Sequence, residues 1–290
     1  MRMKPFPLPV VAFVGAGSQP EDPDLAYMPL PVQMDSFTMP ALPSSEDIRH
    51  LNTALAVVGE LAELATRWTP AAGSLSRSLA GLPAADLTLI NQVLGEGEVS
   101  ARALLADGGE VRIQESVFAG VWRVCTFNAA GEQTGDAVEI APVPSVLIER
   151  AQASSRWLDS LPALPPTLMN AAPIGAELLA RQRQALDHPH VINFTLLPVT
   201  PDDMAWIEGL IGEGQVGIFS RGYGKCRVLA TALVHVWRVQ YFNTMNTLLL
   251  DTLEITRIPD VTLADGEDIA DSAERLAQAH GWLLGEFDHV

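Results

Sequence analysis

Cysteine and lysine are both scarce in this 290-residue chain: there are two cysteines, and two of the 18 basic residues are lysine. The two cysteines, Cys125 and Cys226, are too few for a disulfide framework or a four-cysteine zinc site. Basic charge is short overall, since 35 acids bring the net charge to −17. That argues against nucleic-acid binding, which needs basic patches to neutralise phosphate, and against docking on anionic lipid. Long apolar runs are also missing. No stretch approaches the ~20 apolar residues that cross a bilayer. The opening "MRMKPFPLPVVAFVGAGS" has the charged, apolar, small-residue order of a secretory leader. Pro5, Pro7 and Pro9 interrupt its apolar part, so no cleaved leader is expected and the cytoplasm is the expected home.

With 48% apolar and only 18% charged residues, the chain has the composition of a folded protein with a sizeable core. Its clearest internal feature is a repeated octapeptide, "VWRVCTFN" at 121–128 and "VWRVQYFN" at 236–243. The match extends outward. Asp136, Glu139, Ile140, Pro144 and Val146 precede Asp251, Glu254, Ile255, Pro259 and Val261 by the same 115 residues. Upstream, "LGEGEV" (94–99) matches "IGEGQV" (211–216) at an offset of 117, and Asp86 and Ile90 correspond to Asp203 and Ile207. Two copies are too few for a solenoid. The reading is an α+β protein of two tandem pseudo-symmetric modules, each a helix plus a small antiparallel sheet, built from about 84–148 and 200–263.

The punctuation of the chain suggests four stretches. Residues 1–43 form an extended Pro/Met-rich N-terminal arm, because prolines at this density forbid a helix. Residues 44–149 form the first module, opening with a helix capped by Ser44 and ending near Trp68. Residues 70–82 are expected to be a loop. Residues 150–199 form a helical connector, and 200–290 form the second module with an amphipathic C-terminal helix. The last 40 residues, 251–290, carry ten acids against Arg257 and Arg275.

No catalytic motif stands out. The Gly-x-Gly of "VGAGS" (14–18) is followed by Pro20, Pro23 and Pro29, so no nucleotide-binding helix can start there. "DHPH" (187–190) lacks the further ligands a metal site requires. No catalytic, metal or cofactor-binding residue is assigned, and no cofactor is expected. The remaining oddity is an arginine in the middle of each apolar strand, Arg123 beside Trp122 and Arg238 beside Trp237. A charge in such a place needs a partner. With the hairpin centred near Gly131, Arg123 is expected to face Glu139, and Arg238 to face Glu254. Two roles stay open for these residues: core tryptophans with cross-strand ion pairs, or a surface for a partner.

The segments "GAGSQPEDPDLAYMPLPVQMDSF", "RIQESVFAGVWRV", "GKCRV", "HVWRVQYFN" and "LLLDTLEITRIPDV" resemble the HupH/HyaF/HoxQ group of hydrogenase expression and formation proteins over about residues 15–275. The resemblance implies a cytoplasmic, non-enzymatic accessory protein of bacterial [NiFe] uptake hydrogenase maturation. Its implied partners are the iron–sulfur small-subunit precursor, before twin-arginine export, and a thioredoxin-like accessory protein. It supplies no catalytic residues. The expected partner-binding residues are Tyr27, Met28, Met34 and Phe37 on the arm, Trp122, Arg123, Trp237 and Arg238 on the strands, and Asp265, Asp268 and Asp271 in the acidic tail. An enzyme or cofactor-delivery factor, or a scaffolding module, stays open beside the chaperone.

Overall fold

The computed structural model describes residues 48–184, 188–221 and 225–286. The N-terminal arm lies outside the described residues, and with it Ser44, the "VGAGS" segment, Tyr27, Met28, Met34 and Phe37. The described chain runs α1 (Asn52–Arg67), β1 (Leu75–Ser78), α2 (Ala84–Leu94), β2 (Val99–Leu104), β3 (Glu110–Glu115), β4 (Val121–Phe127), β5 (Gln133–Ile140) and α3 (Ser145–Ala153). It continues with α4 (Ala171–Arg181), β6 (His190–Asn193), α5 (Pro201–Ile211), β7 (Glu213–Ser220), β8 (Lys225–Thr231), β9 (Val236–Phe242), β10 (Leu248–Ile255) and α6 (Gly266–Leu283).

The ten strands form one antiparallel sheet in the order β1-β5-β4-β3-β2-β7-β8-β9-β10-β6. The order reads the same from either end once β1–β5 are matched to β6, β7, β8, β9 and β10 of the second half. The fold is therefore α+β with two pseudo-symmetric halves, and the two small sheets join along β2 and β7. The register places the dyad. The offset of 117 takes Ala101 to Ile218, and these two residues stand directly opposite each other across the β2–β7 ladder. The halves meet as two subunits of a symmetric dimer do, each presenting the same edge to the other.

Each half repeats more than the sequence match shows. The stretch 70–82 contains strand β1, which pairs with β5, where a loop was expected. Within 150–199, α4 and the edge strand β6 are the second-half counterparts of α1 and β1, and β6 pairs with β10. The leading helices are held by one device. The buried carboxylate of Asp86 accepts the Ala54 N–H of α1 at 2.8 Å. Its counterpart Asp203 accepts three N–H groups at the start of α4, from Met169, Asn170 and Ala171, at 2.9, 3.0 and 2.9 Å. Helix N-termini carry unsatisfied donors and a positive dipole end, so a carboxylate from the next helix serves both needs. Helix α1 thus begins at Asn52, after the non-helical Leu51, rather than running on from Ser44.

Opposite faces of the sheet are covered differently. One face carries α1, α2 and α6 over the first half, around Leu61, Ile90, Val121, Ile140 and Leu276. The same face carries α4 and α5 over the second half, around Leu178, Ile207, Leu253 and Ile255. The other face is covered at its centre by α3, whose Leu147 sits among Ala103, Ile113, Val216, Trp122 and Trp237. No described helix is long and apolar enough to cross a membrane.

Candidate functional site

The Val-Trp-Arg-Val strands β4 and β9 occupy matching places, and alternation sends each Trp and Arg to opposite faces. Trp122 and Trp237 are 1% and 2% exposed, packed beneath α3, and the Trp122 indole N–H donates to the Ala141 carbonyl at 2.9 Å. The arginines point the other way. Arg238 grips Asp251 with both prongs, Nε to Oδ1 at 3.0 Å and Nη2 to Oδ2 at 2.7 Å, and donates a third bond to Glu208 of α5 at 2.8 Å. Burial disfavours the charge, yet the bonds and charges of Asp251 and Glu208 hold the guanidinium well above its ordinary value. Arg123 repeats the grip on Asp136 at 2.5 and 2.6 Å and reaches Asn91 of α2, the counterpart of Glu208.

These partners correct the expected Arg123–Glu139 and Arg238–Glu254 pairs. Arg123 stands opposite Val138 and Trp122 opposite Glu139; Arg238 stands opposite Leu253 and Trp237 opposite Glu254. The first turn closes around Ala130, with Asn128 N–H bonded to the Glu132 carbonyl, and an irregularity between Thr126 and Phe127 shifts the ladder. The second copy does the same between Leu248 and Leu250. A one-residue change of register turns every side chain over. Glu139 instead accepts the Ser74 hydroxyl at 2.6 Å and the Ser145 N–H at 2.8 Å, at the first turn of α3. Both tryptophans belong to the core, and each arginine is engaged by its own half, so these four residues form no open surface.

The acidic tail is different. Helix α6 buries Ile269, Ala273, Leu276 and Leu283 in the core of the first half. Its outer face exposes Glu267, Asp268, Asp271 and Glu274. Asp265 caps the helix by accepting the Glu267 N–H at 2.8 Å, which suits a carboxylate at a helix N-terminus. The helix's one arginine, Arg275, lies 3.8 Å from Asp271, and both are well exposed. Inward of this face, burial raises the Glu115 carboxyl to about 7 despite the Gly120 N–H, with Glu98 and Asp268 adding repulsion. Asp265, Asp268 and Asp271 thus share one exposed face.

A second surface lies at the more apolar connection of the second hairpin, "NTMNTLLLDTLEITRIP", where no site residue was expected. The β9–β10 hairpin exposes Met245 (84%) and Leu249 (55%), and Leu196, just past β6 at the same end of the sheet, is 79% exposed. The counterpart hairpin in the first half, "NAAGEQTG", is polar. A comparison of the two copies at this point carries the signal: an apolar hairpin tip on one side only.

The two halves about their internal dyad thus differ at the surface, one carrying the acidic face of α6 and the other the apolar hairpin tip. The HupH hydrogenase expression protein model, for its C-terminal conserved region, matches residues 51–160 and 168–283, one stretch per half. The chain belongs to this family. It is 43% identical to the hydrogenase expression/formation protein HupQ of Azotobacter chroococcum, over 91% of this chain and 94% of that one. It is 40% identical to HoxQ of Cupriavidus necator, over 97% and 99%, and 38% identical to the hydrogenase-1 operon protein HyaF of Escherichia coli, over 93% and 95%. Among solved structures, the hydrogenase expression protein HupH from Thiobacillus denitrificans is 23% identical, over 38% of this chain and 92% of that one, at a TM-score of 0.36.

Proposed function

We propose that this protein serves hydrogenase maturation as an accessory chaperone. It holds the iron–sulfur small-subunit precursor of an [NiFe] hydrogenase in the cytoplasm before export, beside a thioredoxin-like companion, and catalyses no reaction itself. The observation that carries the maturation role is that relatives matched over more than nine-tenths of the chain are named for hydrogenase expression and formation. Two features support the holding role. The precursor's twin-arginine segment is basic, and the exposed carboxylates of α6 offer it a field of opposite sign, which speeds encounter. Such attraction is screened beyond roughly 8 Å at physiological salt, so it acts on the on-rate. The lasting hold comes from apolar contact, for which Met245, Leu249 and Leu196 are exposed and adaptable. The test is co-purification of the small-subunit precursor with the tagged chain from cells expressing the hydrogenase operon. Recovery of the chain without the precursor counts against the chaperone role.

A further inference from the structure

The turn between β8 and β9 repeats the turn between β3 and β4. Ser116 and Thr231 bind back to their own turns in the same way, through Phe118 N–H and Leu233 N–H at 3.1 Å each. The Ala141 N–H bonds the Gly120 carbonyl at 3.0 Å, and its counterpart, the Thr256 N–H, bonds the His235 carbonyl at 2.8 Å. Both turns need one residue in the left-handed region. The first half uses Gly120 at φ 74°, and the second uses His235 at φ 62°. Glycine is required in the first half, because a Cβ there would lie 2.5 Å from Ile269 of α6. The second half has placed a side chain where glycine is the relaxed choice. Residues held in this region cluster at functional sites.

What the side chain does there is also unusual. His235 Nδ1 is buried and has no hydrogen-bond partner among the described residues. It borders a cavity of about 10 Å³ that Gln152, Thr231, Trp237 and Arg257 also line. The indole of Trp157 stands edge-on to the imidazole, with ring centres 5.8 Å apart, and is 43% exposed. Arg257 is exposed and makes no ion pair among the described residues, in a chain where acids outnumber bases almost two to one. Burial and the nearby Arg257 charge both lower the His235 pKa. A cavity of this size admits one oxygen atom. Water would satisfy Nδ1, but it would leave the Arg257 guanidinium without a counter-charge. A carboxylate oxygen answers both.

We infer that the cleft between the end of α3 and the 231–236 turn is a carboxylate-binding site, with His235 Nδ1–H and Arg257 donating to the same group and Trp157 packed against the imidazole. Its occupant is either a small free carboxylate or the carboxylate at the end of a peptide chain.

The experiment is a pH titration of the histidine Cε1–H signals of the full chain by NMR, with the His235 signal assigned by its loss in His235→Gly. Sodium acetate is compared with sodium chloride at equal ionic strength. Tri-alanine with a free terminus is compared with its amide. The site predicts that acetate or the free peptide, but not chloride or the amide, raises the His235 pKa by about one unit, as an opposite charge in contact does. A response to acetate marks a small carboxylate, and a response to the free peptide alone marks a chain end. Arg257→Gln, at an exposed position, should weaken binding about tenfold. His235→Gly should abolish binding while raising the melting temperature, since it restores the glycine of the first half. Coincident titrations in acetate, chloride and both peptides would overturn the site, leaving a turn histidine solvated by water. Unchanged binding in Arg257→Gln would overturn the two-donor arrangement.

Discussion

Arg238 is the residue whose loss should cost most for its size. In Arg238→Ala two carboxylates lose their partner. Glu208 has a side chain 43% exposed and can turn to water. Asp251 cannot, because its side chain is 8% exposed beneath α5 and keeps only the Gln240 amide at 3.2 Å. Stranding one buried charge costs about 3–5 kcal/mol. At ~2–4 °C per kcal/mol for a chain of this size, the melting temperature should fall by roughly 6–20 °C. Arg123→Ala should cost less, about 2–3 kcal/mol, because its third partner is the neutral Asn91 and its pair is slightly more open, at 16% and 12% against 11% and 8%. Glu254→Ala should be neutral or mildly stabilising at pH 7, since burial and Asp260 already disfavour that carboxylate. In urea melts, Arg238→Ala/Asp251→Ala should cost less than the sum of the single changes by about 2 kcal/mol. Equal losses in Glu254→Ala and Asp251→Ala, or an Arg238→Ala melt within about a degree of the wild type, would refute the register and the pairing drawn from it.

Two further predictions follow pH. Burial would raise the Asp203 carboxyl, but the N–H groups of Thr200, Ala171 and Asn170 and the Thr200 hydroxyl outweigh it and hold it at about 2, below its ordinary 3.8. Its contribution is therefore complete above pH 3.8 and lost as pH falls through 2. Asp203→Asn should be clearly less stable than wild type at pH 6 and converge on it near pH 2, by calorimetry; parallel curves would contradict the cap. Glu115 runs the opposite way, with a folded value near 7 against an ordinary 4.5. The cost of its charge appears above pH 4.5 and levels off above 7. Glu115→Gln should then gain stability at pH 8 and nothing at pH 4, and a gain of equal size at both would contradict the burial of that carboxyl.

Much of this fold was legible. The repeated octapeptide and its flanks located both halves, and Gly95 and Gly212 marked the ends of α2 and α5, with φ 57° and 59°. The Arg–Asp pairs were within reach but undecidable. Asp136 and Asp251 recur in the repeat as faithfully as Glu139 and Glu254, so constant spacing favoured neither. The choice rested on a one-residue irregularity in each hairpin that no residue type announces. The edge strand β1 escaped because "LSRS" is four residues long and half serine, so it pairs by position at the sheet edge, not by propensity. The union of two sheets into one was also hidden, since the pairing of Ala101 with Ile218 depends on which edges the helices leave open. At the surface, the acids of α6 were visible by count. The more apolar connection of the second hairpin was visible too, and burial added that Met245 and Leu249 stay exposed there.

The most direct measurement for the central claim uses purified components. The chain is immobilised, and the small-subunit precursor, with and without its twin-arginine segment and with and without the thioredoxin-like companion, is passed over it at low and physiological salt. The account predicts specific binding of the full precursor. The association rate should fall several-fold at low salt when Asp265, Asp268 and Asp271 are changed to Asn, with little change in dissociation. Met245→Ser with Leu249→Ser should instead speed dissociation. No binding of the precursor under any of these conditions would contradict the chaperone role.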